Sequence, residues 1–166
     1  QELSAILEST YWSKRLSPSP SEVLKQLESL SEMESYTKFM ISTAEHEICI
    51  FTYLFTWLDT FKEHLISALK RGVEVKVLAH ELSRTASKRG FEAKSMGAKV
   101  RIYCGEPYPV RGMVVDVKRT VFIPYTALTA EKSLLSPPYY SENVAIVRIL
   151  RDAFNHVWSE SRDLEV

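Results

Sequence analysis

The chain has 166 residues, 45% hydrophobic and 25% charged, which is the length and composition of one domain with a true core. At this size folding buries roughly 70% of the unfolded chain's surface, so neither a metal nor a disulfide is needed for stability. Lys plus Arg and Asp plus Glu each number 21, a neutral balance that argues against a domain gripping nucleic acid by itself, and no apolar run approaches the ~20 residues of a membrane span.

The first strong signal is "SPSEVLKQLESLSEME". Ser19 can cap a helix, Pro20 suits the first helical position and Glu22 completes an S-x-x-E capping box. Leu24, Leu27, Leu30 and Met33, then Met40 and Ala44, follow at helical spacing and predict a long amphipathic helix from about Pro20 to His46. "EICIFTY" reads as a buried strand. From Trp57 the pattern is helical again, with Leu58, Phe61, Leu65, Ala68 and Leu69 on one face, and it closes at Gly72. "VEVKVLA" alternates as a strand does, a helical stretch follows to Gly97, and "AKVRIYC" is the third strand. Strands and helices alternating through short glycine-terminated connections predict a parallel sheet with right-handed crossovers.

After Cys104 the style changes. "VRGMVVD" and "RTVFIPY" predict an antiparallel hairpin turning at about Val117 to Lys118. The proline-bearing "SLLSPPYYSEN" reads as a loop leading to a last helix with Val147, Leu150, Phe154 and Trp158 in its apolar stripe. Cys49 and Cys104 each sit in an apolar run, where a free thiol behaves as a small buried hydrophobe, a usage that fits a reducing cytoplasm.

Most catalytic motifs are excluded directly. His46, His64, His80 and His156 lack paired ligand spacing, and there is no G-x-S-x-G elbow, P-loop or G-x-G-x-x-G. Tyr53, Phe55 and Trp57 straddle the end of the first sheet strand, the edge where open parallel sheets bind ligands. Packing in the core is the competing role for each of them.

The hairpin carries the one suggestive constellation: Pro109, Arg111 and Asp116. Their spacing is similar to the phospholipase D motif H-x-K-x-x-x-x-D, and "GMVVD" resembles the apolar strand that enters that family's aspartate. Proline at the nucleophile's position cannot form a covalent phosphoryl bond, so catalysis by this motif is not expected. Arginine at 111 keeps a cation able to hold an anion, in a different geometry from lysine. A surface ion pair and a turn aspartate are the bland alternative for Arg111 and Asp116.

The ordered set "PSEVLKQL", "STAEHEICIFTYLF", "LISALKRGVEVKVLA", "GAKVRIY", "RGMVVD" and "LRDAFNHVWSE" resembles the effector-side module of archaeal TrmB-like transcriptional regulators, from about Ser17 to Glu160. In that family a winged-helix DNA-binding domain precedes a phospholipase D-like domain that has lost its catalytic residues. The resemblance implies an α/β fold, a phospholipase D-like mixed sheet flanked by helices, with a long N-terminal helix. It makes residues 1–18 a connector from a winged-helix domain outside this chain, and 19–166 the effector and dimerisation domain.

It further implies a cytoplasmic homodimer that reaches DNA only through that other domain, needs no cofactor, and takes a sugar or an anionic metabolite as effector. Arg111, Asp116, Tyr108, Tyr53 and Trp57 are the candidate ligand-binding residues. Two other readings stay open: an interaction module without ligand, and a phosphodiesterase or nuclease with a non-standard site built on residues such as His80 or His156.

Overall fold

The computed structural model describes the backbone of residues 23–53, 55–80, 84–128 and 133–164, and the side chains of all of these except 84–86, 126–128 and 133–135. Three parallel strands, β2 (Glu47–Phe51), β3 (Glu74–His80) and β4 (Lys99–Tyr103), are linked by helices α2 (Leu58–Lys70) and α3 (Arg84–Ser95). The hairpin β5 (Val110–Val115) and β6 (Arg119–Leu128) adds antiparallel to β2. With β1 (Lys25–Gln26), β7 (Ser133–Leu135), β8 (Tyr139–Ser141) and β9 (Arg162–Asp163) the mixed sheet runs β1-β8-β6-β5-β2-β3-β4-β9, with β7 paired to β6. The expected mixed α/β architecture is therefore present.

Strand alternation divides the core in two. Ile48, Ile50, Val75, Val77, Met113, Val115, Val121 and Ile123 point to α2 and to α1 (Leu30–Ser42), where they meet Tyr36, Met40, Phe61 and Leu65. Cys49, Phe51, Leu78, Tyr103 and Val114 point the other way, onto Val147 and Phe154 of α4 (Val144–Glu160). Burial, reinforced by the neighbouring Glu47 carboxylate, pushes the Cys49 thiol up to about 12, so it stays protonated and inert. Cys104 departs from expectation: it lies one residue past β4 and is exposed.

The long N-terminal helix is a second departure. The helix has 13 residues and starts at Leu30, while Lys25 and Gln26 pair with Tyr140 and Tyr139 of β8. Two local forces beat the helical pattern. The Leu27 N–H donates to the Pro138 carbonyl at 2.8 Å, placing Leu27 in the core. A later cap takes over as well: Ser29 accepts from the Glu32 N–H at 3.1 Å, and the Glu32 carboxylate accepts from the Glu28 N–H at 2.7 Å. The proposed cap at Ser19, with Pro20 and Glu22, and the connector at 1–18 lie outside the described residues.

The segment expected to be a loop holds β7 and β8 instead. Tyr140 packs its ring 4.7 Å from that of Tyr36, and this burial draws the segment onto the sheet, while Pro137 and Pro138 fall between the two strands.

Across the other layer, Arg151 of α4 grips Glu47 of β2 through two hydrogen bonds of 2.8 and 2.9 Å. Both side chains are only 16% exposed, so the pair is worth more than a surface bridge. Arg151→Met should cost about 2 kcal/mol in urea denaturation, because it leaves a largely buried carboxylate with only the Lys76 ammonium at 3.8 Å.

Candidate functional site

The site begins with a turn. After β2, the Thr52 N–H continues the sheet by donating to the Leu78 carbonyl at 3.0 Å. The Thr52 hydroxyl then accepts two hydrogen bonds, from the Phe55 N–H at 3.0 Å and from the Trp57 indole Nε1–H at 3.2 Å. Phe55 is held at φ 55°, a left-handed conformation that a bulky residue adopts only when its surroundings enforce it. Its ring is fully buried and meets Trp57 edge-on at 5.1 Å. The strained turn thus fixes the Trp57 indole with its N–H occupied.

Trp57 forms one wall of a cavity between α1, α2 and the start of β5. The lining is Leu30, Met33, Glu34, Thr37, Trp57, Phe61, Arg111, Gly112 and Met113, around some 490 Å³ of space that includes its open mouth. Arg111 shares the face of Met113 and Val115 because the three alternate along β5. Its guanidinium makes no hydrogen bond or ion pair with any described residue. Its charge does reach Tyr125, which extends the same face of β6 two residues past Ile123, the partner of Arg111. Burial raises the Tyr125 phenol against the pull of Arg111, so the hydroxyl is a neutral donor.

The other candidates are spread around this edge. Tyr53 lies over His80 with ring centres 5.1 Å apart, and His80 meets Tyr103 edge-on at 5.0 Å. His80 is 1% exposed, with Nε2 3.0 Å from the Gly105 carbonyl. Tyr108 belongs to the opposite face. It stacks on Phe51 at 4.9 Å, donates its N–H to the Tyr103 hydroxyl at 3.1 Å, and borders a separate cavity with Cys104, Glu106 and Val157. Burial raises the phenols of Tyr103, up to about 12, and of Tyr108, so both stay neutral.

Asp116 stands apart from all of these. It lies five steps along the chain from Arg111, roughly 16 Å at the usual rise, which rules out the ion pair considered from sequence. Its carboxylate is filled by backbone: the N–H groups of Glu45, His46 and Glu47 donate to it at 2.9, 2.8 and 2.9 Å. The structure thus joins Arg111 and Trp57 in one cavity, puts Tyr53 at the neighbouring strand edge, and separates Tyr108 and Asp116 from them. Sequence reading missed Tyr125, although its spacing from Ile123 signalled a shared face. It placed Leu30, Met33 and Phe61 in apolar stripes without seeing that the stripes border a cavity.

Among the described residues no cluster of three or more His, Cys, Asp or Glu side chains could hold a metal ion, and no helix is long and apolar enough to cross a membrane. The family model described as "Transcriptional regulator TrmB, EBD N-terminal subdomain" matches residues 24–165. No curated protein sequence matches the chain. Solved structures do. Nuc, a phospholipase D family member from Salmonella typhimurium, aligns with a TM-score of 0.63 at 20% identity, over 78% of this chain and 88% of its own. NucT from Helicobacter pylori aligns with a TM-score of 0.66 at 16% identity, over 84% and 96%. TrmBL2, an archaeal chromatin protein with its own mode of DNA binding, aligns with a TM-score of 0.62 at 17% identity. The alignment takes in 97% of this chain but only 62% of TrmBL2. At these identities the likeness is one of fold, a phospholipase D-like sheet flanked by helices.

Proposed function

Because the chain belongs to the TrmB family of transcriptional regulators, we propose that it is the non-catalytic, effector-sensing and dimerising part of such a regulator. The observation that carries the reading is Arg111, a cation without a carboxylate partner among the described residues, facing an apolar cavity beside a fixed indole. A guanidinium in that setting gains most from a ligand that brings its own acceptors. In this reading Asp116 drops out of the ligand site, and Tyr53 and Tyr125 lie nearby without lining the cavity.

In this reading two copies form a cytoplasmic homodimer, and DNA is contacted through a winged-helix domain joined by residues 1–18. The ligand favours one arrangement of the two subunits and so alters the spacing of the attached DNA-reading domains. The neutral charge of this domain supports leaving DNA contact to that other part.

The phosphodiesterase alternative has less support. Pro109 stands where the nucleophile would be, His80 is buried against Gly105, and His156 sits exposed on α4 beside Glu160 at 3.6 Å. Hydrolysis of bis(p-nitrophenyl) phosphate is expected to stay at background.

A thermal-shift panel of sugars and anionic metabolites tests the proposal. One or more should raise the melting temperature by several degrees when present at about 100 times Kd, a stabilisation of ~2.7 kcal/mol. Arg111→Ala should abolish that shift and leave the ligand-free melting temperature nearly unchanged, since the guanidinium has no hydrogen-bond or ion-pair partner among the described residues. A panel without any stabilising compound would favour the ligand-free interaction module.

A further inference from the structure

We infer that the cavity between α1, α2 and β5 takes a monoanionic carboxylate carrying a medium-length alkyl or aryl body, rather than a sugar. This rests on the reading of Arg111 above and narrows the ligand class. The uncharged side-chain donors of the walls are already spent inside the protein: the Trp57 indole N–H on the Thr52 hydroxyl at 3.2 Å, and the Thr37 O–H on the Met33 carbonyl at 2.8 Å.

Among the described residues two charged groups of the lining remain without a partner, the Arg111 guanidinium and the Glu34 carboxylate on the exposed rim. A sugar ring needs several fixed donors and acceptors, because each hydroxyl buried without one is penalised. This lining satisfies few. The rest of the wall is Leu30, Met33, Phe61, Met113 and the Trp57 ring, a continuous apolar surface suited to a hydrocarbon body.

The charges set the head group. A planar guanidinium matches a carboxylate through two parallel hydrogen bonds. Glu34 adds a negative charge at the rim without a salt bridge to Arg111, and so disfavours ligands with a second negative charge.

The test uses octanoate, 1-octanol, inorganic phosphate and maltose as probes, read by thermal shift and by ligand-observed NMR. Octanoate should stabilise the chain more than 1-octanol, phosphate or maltose. Arg111→Gln should weaken octanoate at least about tenfold, the loss expected for a charge-assisted pair. Leu30→Ser, at a position 51% exposed and therefore tolerant of change, should weaken it several-fold without lowering the ligand-free melting temperature.

Octanoate binding that survives Arg111→Gln would overturn the inference. Maltose stabilising the chain through Arg111, with octanoate inert, would overturn the ligand class and leave the effector reading standing. Inertness of all four probes, together with the broader metabolite panel, would sink both.

Discussion

Replacing Gly112 by alanine is expected to destabilise the chain by roughly 3 kcal/mol or more, enough to remove much of a small domain's stability. Gly112 lies in β5 between Phe51 of β2 and Phe122 of β6. An added Cβ would lie 2.2 Å from the Val121 carbonyl oxygen and 2.6 Å from the Phe122 Cα. Both obstacles are backbone of the adjacent strand, so no rotamer change can clear them. β6 would have to move away, and the pairs Arg111–Ile123 and Met113–Val121 would weaken with it. The cavity would suffer too, because Gly112 and Met113 form part of its floor. Urea denaturation gives the answer, and a midpoint equal to that of the wild type would mean that β5 and β6 are not packed this closely.

Asp116→Asn should have the second-largest effect, about 2–3 kcal/mol at neutral pH. The residue has φ 53°, a conformation that asparagine tolerates as readily as aspartate, so the substitution isolates the carboxylate. An amide NH2 would face at least one of the three backbone N–H groups that the carboxylate now accepts from, donor against donor. Burial alone would raise the Asp116 pKa, but the amides of Glu45, Glu47 and His46 outweigh it and leave the group below its ordinary value.

A carboxyl lowered in the folded state contributes stability above its unfolded pKa and loses it as the pH falls through the folded pKa. The wild type should therefore lose this contribution on the acid side of the ordinary carboxylate range, and the Asn variant should have none to lose. Urea midpoints compared between about pH 7 and pH 3 decide it. Parallel acid limbs for the two proteins would refute the role assigned to the carboxylate.

The interior of the fold was legible because its signals were periodic. Alternation in "VEVKVLA" and helical spacing from Leu58 to Leu69 report which side faces the core, and both elements formed as read. The ends were less legible, because they are decided by partners distant in sequence. Leu27 satisfies helical spacing as well as it satisfies a strand end, and only the Pro138 carbonyl, far along the chain, settles the matter.

Much the same holds for the site. Arg111 and Trp57 were recognisable one by one, whereas the cavity joining them depends on α1 starting at Leu30. The parting of Arg111 from Asp116 was legible and overlooked. Asp116 stands just past the end of β5, and the run of strand between it and Arg111 keeps them far apart.

That separation bears on which changes in chain length the protein can survive. Arg111 has to reach the face of α1 and α2, while Asp116 has to arrive beside the Glu45–Glu47 amides at the far end of the same strand. Deleting or inserting one residue between them would turn the cation toward α4 or pull the carboxylate away from its amides. Substitutions that β5 tolerates exclude any at Gly112, and its length is fixed as well. The spacing of Arg111 and Asp116 is therefore kept by the arithmetic of a strand held at both ends, whatever each residue does.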